Sequence, residues 1–555
     1  MLRLSGENPY RARAYETGAD ALDALEGDVA ALASEGRLTD VPGIGPSLAA
    51  TITELLHTGA AEALERIAGD LPVGLLEVAH VPGMTLRRLR LLHEALDIQN
   101  VHDLRRAIDA GAVEALKGFG AQTVARLREG LEQQRRGPEP VLLVDALGTA
   151  QRLCAHLRDS AGVVAADVVG SVRRWADTVR DINLVAASAE AGAALDALAA
   201  HPSVARTAVP AALARRDEVV CEARLFDGMG VTLHVVSPAR YAVAVALGTA
   251  SAEHRRQLAA RAEVRGIELG TIEADSEAAF YARLGLPLIP AELREGRGEL
   301  EEVDGGDDFA DLLSIGDIQG MVHCHTTYSD GGNTVAEMAR AAESRGMRYL
   351  TITDHSPTAS YAGGVTAERL PEQWREIAAA QANTPVRILR GTESDILRDG
   401  ELDYPDALLG SLDVVIASIH NRYKLDAGAM TERLSRAMER PVFKIWGHPL
   451  GRLLLRREPI ACDVERILDV VAKSPAAIEI NGSPHRLDLP APWARAARQR
   501  GIKFVISTDA HSTAEVDHLK FGVAVARRAG LRRRDVLNAL PAAAFAAAVR
   551  PMAPA

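Results

Sequence analysis

The chain has 555 residues, 47% of them hydrophobic, and a net charge of −12. It is long enough for several domains with ample cores, and its acidic balance excludes a uniformly basic nucleic-acid coat while leaving local phosphate-binding patches open. The four cysteines, Cys154, Cys221, Cys324 and Cys462, have no CxxC spacing, which argues for reduced thiols and against a disulfide framework. The opening MLRLSGENPYRARAYE lacks the apolar stretch of a signal peptide, and no apolar run reaches the length of a membrane span. The expectation is a soluble, cytoplasmic protein with no membrane contact and no obligate protein partner.

Residues 1–136 read as short helices broken by Gly-Pro turns, and RRGPEP, around 137–140, reads as a linker. VPGIGPSLAATI at 41–52 has the pattern of a helix-hairpin-helix, in which Gly43 and Gly45 free backbone amides to meet a DNA phosphate without reading sequence. VPGMTLRRLRLL at 81–92 and LKGFGAQTVARL at 116–127 read as weaker copies, which puts Gly83, Gly118 and Gly120 in the same role. One such turn is a poor signal, because tight helix turns often carry glycine. Three in this segment, beside Arg87, Arg88, Arg90, Arg126 and Arg128, favour DNA contact over a purely structural helical bundle.

Residues 141–295 alternate helical patterns with short strands such as 182–186 and 231–236. Within them VVGSVRRWADTVRDINLV, 168–185, resembles the palm of family X DNA polymerases and related nucleotidyltransferases: Gly-Ser, two Arg, then Asp-x-Asp on a strand. The resemblance implies that Gly170, Ser171 and Arg174 hold the triphosphate of a dNTP. It also implies that Asp181 is the first carboxylate for Mg²⁺ or Mn²⁺. Asn183 stands where the second carboxylate is expected, and Thr232, on VTLHVV, where the third is. Two-metal phosphoryl transfer needs anionic oxygens around both ions, and one carboxylate with an amide and a hydroxyl would hold Mg²⁺ poorly. Trp175 replaces a glycine after the paired arginines (Arg173 and Arg174), and LGTASAEH at 247–254 lacks the expected aromatic and Gly-Ser, yet YARLGLPLIPAELRE at 281–295 is similar to the family's thumb. The expectation is an α+β palm and thumb whose fold is kept and whose site is degraded. His234 shares a strand face with Thr232 and is a candidate replacement ligand; the plainer reading is an ordinary surface or core histidine. NPYRARAYE at 8–16 resembles the start of the family's end-binding domain, which in some relatives is a lyase using a Schiff-base lysine. No lysine precedes Lys117, so that chemistry is not expected.

The acidic GRGELEEVDGGDD opens a second linker over 296–316. Across 317–555, seven apolar runs separated by helical patterns predict a parallel sheet or barrel of βα units. The runs end on candidate ligands: His323 and His325, His355, Glu393, His420, His448, and Asp509 with His511; Asp330 follows the first pair. His323 and His325 share a strand face by the period of two, which turns Cys324 away. The carboxyl ends of parallel strands are where barrel active sites gather. Imidazoles with carboxylates suit Zn, Mn, Fe or Co, and the lack of cysteine ligands argues against a structural zinc site. A single histidine at a strand end is usually a hydrogen-bonding or core residue; nine such side chains together are not explained that way. Cys324 and Asp354 read as packing or orienting residues. Asn481 and Arg486 could touch substrate or only cap a loop.

HCHTTYSDG, TDHS, GTESDI, SIHN, GHP, EING and STDAH resemble the motifs of the polymerase and histidinol phosphatase (PHP) domain, over about 317–530. The resemblance implies a distorted (βα)7 barrel with up to three divalent metals, Mn²⁺ or Zn²⁺. His323, His325, Glu393 and Asp509 would hold the first. Glu393 would bridge to a second with His420 and His448, and Asp330, His355 and His511 would hold the third. The whole chain thus resembles bacterial family X polymerases fused to a PHP domain. That implies a DNA repair protein that binds gapped or nicked DNA and 3′ ends and hydrolyses phosphodiesters as a 3′–5′ exonuclease, with an abasic-site endonuclease as an added activity and polymerisation weak or lost. The alternatives are an active Mn²⁺-dependent gap-filling polymerase, a small-molecule phosphatase using the same metals, and a non-catalytic DNA-end scaffold.

Overall fold

The computed structural model describes residues 14–15, 17–18, 21–22, 29–34, 36–58, 74–79, 81, 83–135, 139–208, 214–215, 218–421 and 423–551. Most of NPYRARAYE and part of RRGPEP lie outside them. The chain divides into two compact units. One comprises Met1–Glu139, Arg152–Ala166 and Ala186–Pro238, the other Pro140–Gln151, Asp167–Val185 and Ala239–Ala555.

In the first unit, the three glycine turns share one backbone device. Gly43, Gly83 and Gly118 have φ of +100°, +88° and +103°, a conformation glycine takes without the Cβ clash other residues meet. Each stands three residues before a helix: α1 (Pro46–Thr58), α2 (Leu86–Leu96) and, after α3 (Val101–Asp109), α4 (Ala121–Arg135). Thr85 caps α2 by accepting from the Arg88 amide at 3.3 Å. Leu89 and Leu92 of α2, Leu104 and Ile108 of α3, and Val124 and Leu127 of α4 pack into one core, each pair spaced to share a helix face. The same unit carries an antiparallel pair, β2 (Glu218–Leu225) and β3 (Gly230–Val236), with Val220 opposite His234. Earlier in the chain, β1 (Asp181–Ser188) opens on Asp181.

In the second unit, α5 (Glu277–Arg283) belongs to a helical cluster that buries Phe280, Tyr281 and Leu284. Seven parallel strands follow: β4 (Gly320–Met321), β5 (Tyr349–Ile352), β6 (Arg387–Asp395), β7 (Val414–Ser418), β8 (Lys444–Trp446), β9 (Ala476–Asn481) and β10 (Phe504–Ser507). They are ordered as in the sequence, as successive βα units dictate. The longer helices between them are α6 (Val335–Ser344), α7 (Leu370–Gln381), α8 (Ala427–Glu439), α9 (Val464–Val471) and α10 (Ala491–Gln499), and α11 (Leu519–Arg528) follows β10. Strands covered on both faces need unbroken apolar runs rather than alternation, and VVIAS of β7 is buried throughout.

The barrel closes beyond its first and last strands. At the carboxyl end the Ala510 amide donates to the His323 carbonyl at 3.1 Å and the His325 amide to the Ala510 carbonyl at 2.8 Å. Lower down, fully buried Asn538 stands in for a missing ladder. Its Nδ2 donates to the Gly320 and Ile506 carbonyls at 3.0 and 2.7 Å, and its Oδ1 accepts from the Ile506 amide at 2.9 Å. Among the described residues no helix is long and apolar enough to cross a membrane.

Candidate metal centre

The strand ends bring the barrel's nine candidate side chains together at its carboxyl mouth. Three overlapping groups each have ligand atoms within 4.8 Å of one another: His323, His325, Glu393 and Asp509; His325, Asp330, His355 and His511; and His355, Glu393 and His420. His448 lies outside these groups, although its Nε2 is 2.8 Å from Glu393 Oε1. The grouping differs from the one the motifs imply: His448 is left out, His355 joins Glu393 and His420, and His325 joins Asp330, His355 and His511. His355 reaches Glu393 as well as Asp330, with Nδ1 2.9 Å from Glu393 Oε2, and so stands between two groups.

The donor set is spaced to hold bound cations. His323 Nε2 lies 3.5 Å from Glu393 Oε2 and 3.4 Å from Asp509 Oδ1, and His325 Nε2 lies 3.6 and 3.1 Å from the same two atoms. Ligands sharing one ion at about 2.1 Å are about 3.0–3.4 Å apart, and these four separations fall in or just beyond that range. Among the described residues His323 Nε2, His325 Nδ1, His355 Nδ1, Glu393 Oε2 and His448 Nδ1 are buried with no hydrogen-bond partner, a costly state unless another group meets them.

Neighbouring acceptors fix which ring nitrogen of three histidines faces the centre. His323 Nδ1 donates to Glu479 at 2.6 Å, His420 Nδ1 donates to Asp395, and His511 Nδ1 donates to the Asp509 carbonyl at 2.8 Å. In each case Nε2 is left for the centre, the arrangement by which outer acceptors orient metal-binding imidazoles. Glu479 and Asp395 are absent from the motif-derived ligand set. Asp395 carries a signal, since it lies two residues beyond Glu393 on β6. Asp354 is an orienting residue: it accepts from the Thr326 amide at 2.8 Å, from the Thr326 and Ser329 hydroxyls and from Gln373. Cys324 is buried and pairs with Ala510 across the closure.

The electrostatics call for positive charge. Burial disfavours a charged His323, but Glu479, Asp509 and Glu393 outweigh it and raise its pKa well above the ordinary value. His355 is pushed up to about 10, and His420 and His511 to about 9, again against burial, by Glu393 and Asp330, by Glu393 and Asp395, and by Asp330 and Asp509 respectively. His325 goes the other way, down to about 3, through burial despite its bond to Asp509, with His511 and His355 adding repulsion. Asp509 and His448 hold positive φ, +55° and +23°, strain that persists where surrounding contacts over-determine a site. Asn481 Nδ2 is 3.3 Å from Asp509 and Arg486 Nε is 3.6 Å from it, while Arg486 Nη1 is buried without a partner among the described residues.

The palm-like loop is arranged differently. Arg173 forms a two-pronged pair with Glu277 of α5 at 2.6 and 3.0 Å and donates to the Thr249 hydroxyl. Arg174 donates to the Thr249 carbonyl at 2.8 Å and lies 3.8 Å from Glu295. Trp175 has φ +57°, where the family's glycine would be unstrained, and its ring meets Phe521 of α11 edge-on at 5.7 Å. Asp177 accepts from Arg452 and Arg528. Gly170, at φ +66°, backs onto Asn183, and Ser171 is half-buried beside it. Asp181 and Asn183 share a face of β1, and among the described residues none of the metal-competent groups includes Asp181. His234 is engaged by Glu218 at 2.7 Å.

Comparisons with known proteins follow the same division. Residues 322–483 match the PHP domain family, 1–61 a helix-hairpin-helix domain and 75–133 a SAM-like helix-hairpin-helix tandem. Over 551 residues, 97% of this chain and 95% of the relative, the chain is 32% identical to the DNA polymerase/3′-5′ exonuclease PolX of Bacillus subtilis. A shorter stretch is similar to probable phosphatases. In Thermoanaerobacter sp. the identity is 30% over 234 residues, 39% of this chain and 88% of the relative. In Caldanaerobacter subterraneus it is 28% over 233 residues, 39% of this chain and 85% of the relative.

Proposed function

Because the chain belongs to the bacterial PolX family, in which a family X polymerase is joined to a PHP domain, we propose that it serves DNA repair as a 3′–5′ exonuclease and abasic-site endonuclease. The helical segment 1–136 would bind gapped or nicked DNA through Gly43, Gly45, Gly83, Gly118 and Gly120. Segment 141–295 would be the polymerase-like palm and thumb, 296–316 a linker, and 317–555 the hydrolytic barrel, acting in the cytoplasm. The observation that carries this reading is the convergence of eight metal-competent side chains, with His448 against Glu393, around buried donor atoms that have no partner among the described residues.

His323, His325, Asp330, His355, Glu393, His420, His448, Asp509 and His511 would hold up to three Mn²⁺ or Zn²⁺ ions. When bound, such ions lower the pKa of a water and steady the attacking and leaving oxygens of a phosphodiester. The chain's own part is placement. Glu479 and Asp395 keep the protons of His323 and His420 on the outer nitrogens. Arg486, whose buried Nη1 lacks a partner among the described residues, would meet a phosphate oxygen. No serine or cysteine nucleophile is needed.

The palm would contribute DNA binding more than synthesis. Asp181 stands with Asn183 in place of a second carboxylate, and the arginines beside Gly170 and Ser171 are held by Glu277, Thr249 and Glu295. Weak Mn²⁺-dependent use of a dNTP is the second reading there. Robust Mg²⁺-dependent gap filling by the purified protein would overturn the degraded-palm reading. The similarity to probable phosphatases favours one rival, a small-molecule phosphatase. Turnover of a phosphomonoester above that of single-stranded DNA would establish the rival, and the reverse order is expected.

A further inference from the structure

A large aromatic ring stands in solvent at the rim of the metal centre. Tyr361 is 70% exposed, and its ring centroid lies 6.2 Å from that of His355 and 6.3 Å from that of His420. A tyrosine offers an apolar ring with a polar tip, which suits it to a binding surface.

The loop that carries the ring is held firmly. The Ser356 amide donates to the Glu393 carbonyl at 3.0 Å and the Val365 amide to the His355 carbonyl at 2.7 Å. Thr358 donates twice to Asp403, through its amide at 2.7 Å and its hydroxyl at 2.6 Å. A Cβ at Gly364 would lie 2.0 Å from the Ser356 carbonyl oxygen, so only glycine lets the loop fold back so closely. The neighbours Ala359 and Ala362 are buried. Tyr361 is therefore presented outward by a fixed scaffold, and among the described residues its hydroxyl makes no hydrogen bond.

The same rim is cationic. The hairpin after His448 has Arg456 exposed, with no acceptor for its guanidinium among the described residues. The adjacent Arg457 lies 4.3 Å over the ring of Tyr423, whose hydroxyl donates at 2.7 Å to the carbonyl of Ile419, the residue before His420. An exposed ring beside arginines, next to a phosphodiester-cleaving centre, is the combination that single-stranded nucleic acid recognises. Bases stack on the ring and phosphates meet the cations.

We propose that Tyr361 is a specificity-determining residue that stacks against the base of the 3′-terminal nucleotide and so sets the scissile phosphate over the metal centre. This rests on the exonuclease reading above. In exonucleolytic trimming the barrel would then favour ends that carry a base over ends that lack one, whereas incision at an internal abasic site would proceed without this contact.

The test measures binding as well as turnover. Single-stranded decamers ending in 2-aminopurine or in an abasic 3′ nucleotide are titrated with full-length protein in EDTA, and their degradation is followed separately in Mn²⁺. Stacking on an aromatic ring is worth roughly tenfold to a hundredfold in binding. Wild type is expected to prefer the base-bearing end by about that factor and to quench 2-aminopurine. Tyr361→Ala should bring the preference close to one and remove the quenching, and Tyr361→Phe should retain both. A Tyr361→Ala protein that keeps the preference overturns the stacking role, as does a Tyr361→Phe protein that loses it. If wild type degrades neither oligonucleotide in Mn²⁺, the exonuclease reading itself fails, which the variants cannot mimic.

Discussion

Replacing Glu479 by Gln removes one charge from beneath the metal centre and leaves the side-chain volume unchanged. Glu479 is fully buried and accepts on both oxygens: on Oε1 from His323 Nδ1 at 2.6 Å and from the Ser507 hydroxyl, on Oε2 from the His448 amide and from Asn481 Nδ2 at 3.3 Å. A glutamine offers one acceptor oxygen and one NH2, so either pair of donors must face another donor. Leaving a buried donor unmet costs about 1–3 kcal/mol. If the Oε1 side is lost, His323 is free to place its proton on Nε2, the atom that lies 3.4–3.5 Å from Asp509 and Glu393. If the Oε2 side is lost, His448 loses a contact that holds its backbone at positive φ. Either way the ligands are loosened, and such outer-contact changes cost about 10- to 100-fold in metal affinity or activity. The assay is degradation of a 5′-labelled single strand over a Mn²⁺ titration, with bound metal counted by mass spectrometry. Glu479→Gln should need about 10- to 100-fold more Mn²⁺ for half-maximal rate, with much of the rate restored at saturation. A titration that overlays wild type would refute the orienting role.

Removal of divalent metal by EDTA should abolish DNA degradation, and added Mn²⁺ should restore it; persistence of activity in metal-stripped protein would count against the centre. Asn538→Ala should lower stability by about 3 kcal/mol, because it strips partners from the Gly320 and Ile506 backbone groups; an unchanged thermal midpoint would show that the barrel closes by other means. Asp177→Asn should destabilise by about 3 kcal/mol at neutral pH, since it leaves the buried Arg452 and Arg528 with a neutral partner. Burial alone would raise the Asp177 pKa, but Arg528 and Arg452 outweigh it and lower it below the ordinary 3.8. The stability this group contributes is therefore present above about pH 4 and is lost as pH falls through the lowered value. Thermal melts of wild type and Asp177→Asn should accordingly converge below about pH 4, and a difference that grew on acidification would contradict the sign.

The candidate ligand set is legible in the sequence because every member but Asp330 ends an apolar run, and strand ends on one side of a parallel barrel must meet. The orienting carboxylates are harder to read. Glu479 and Asp395 lie on the same strands as ligands and are chemically indistinguishable from them until the bonds to His323 and His420 are seen. The glycine turns are legible for the opposite reason, since a required positive φ leaves its mark in residue type at Gly43, Gly83 and Gly118. Arg173 and Arg174 resist sequence reading. Their pattern is that of a phosphate-binding loop, but the groups that hold them, Thr249, Glu277 and Glu295, come from distant segments. The role of Trp175 is likewise set by a distant partner, Phe521.

The most direct test is a 5′-labelled primer on a gapped template in Mn²⁺, with and without dNTPs, comparing wild type with a His323→Ala, His325→Ala double variant. Wild type should give a shortening ladder in both lanes, and the double variant should give none. Unchanged shortening by the double variant, or a ladder that grows upward with dNTPs in wild type, would contradict a barrel-centred nuclease with a degraded palm.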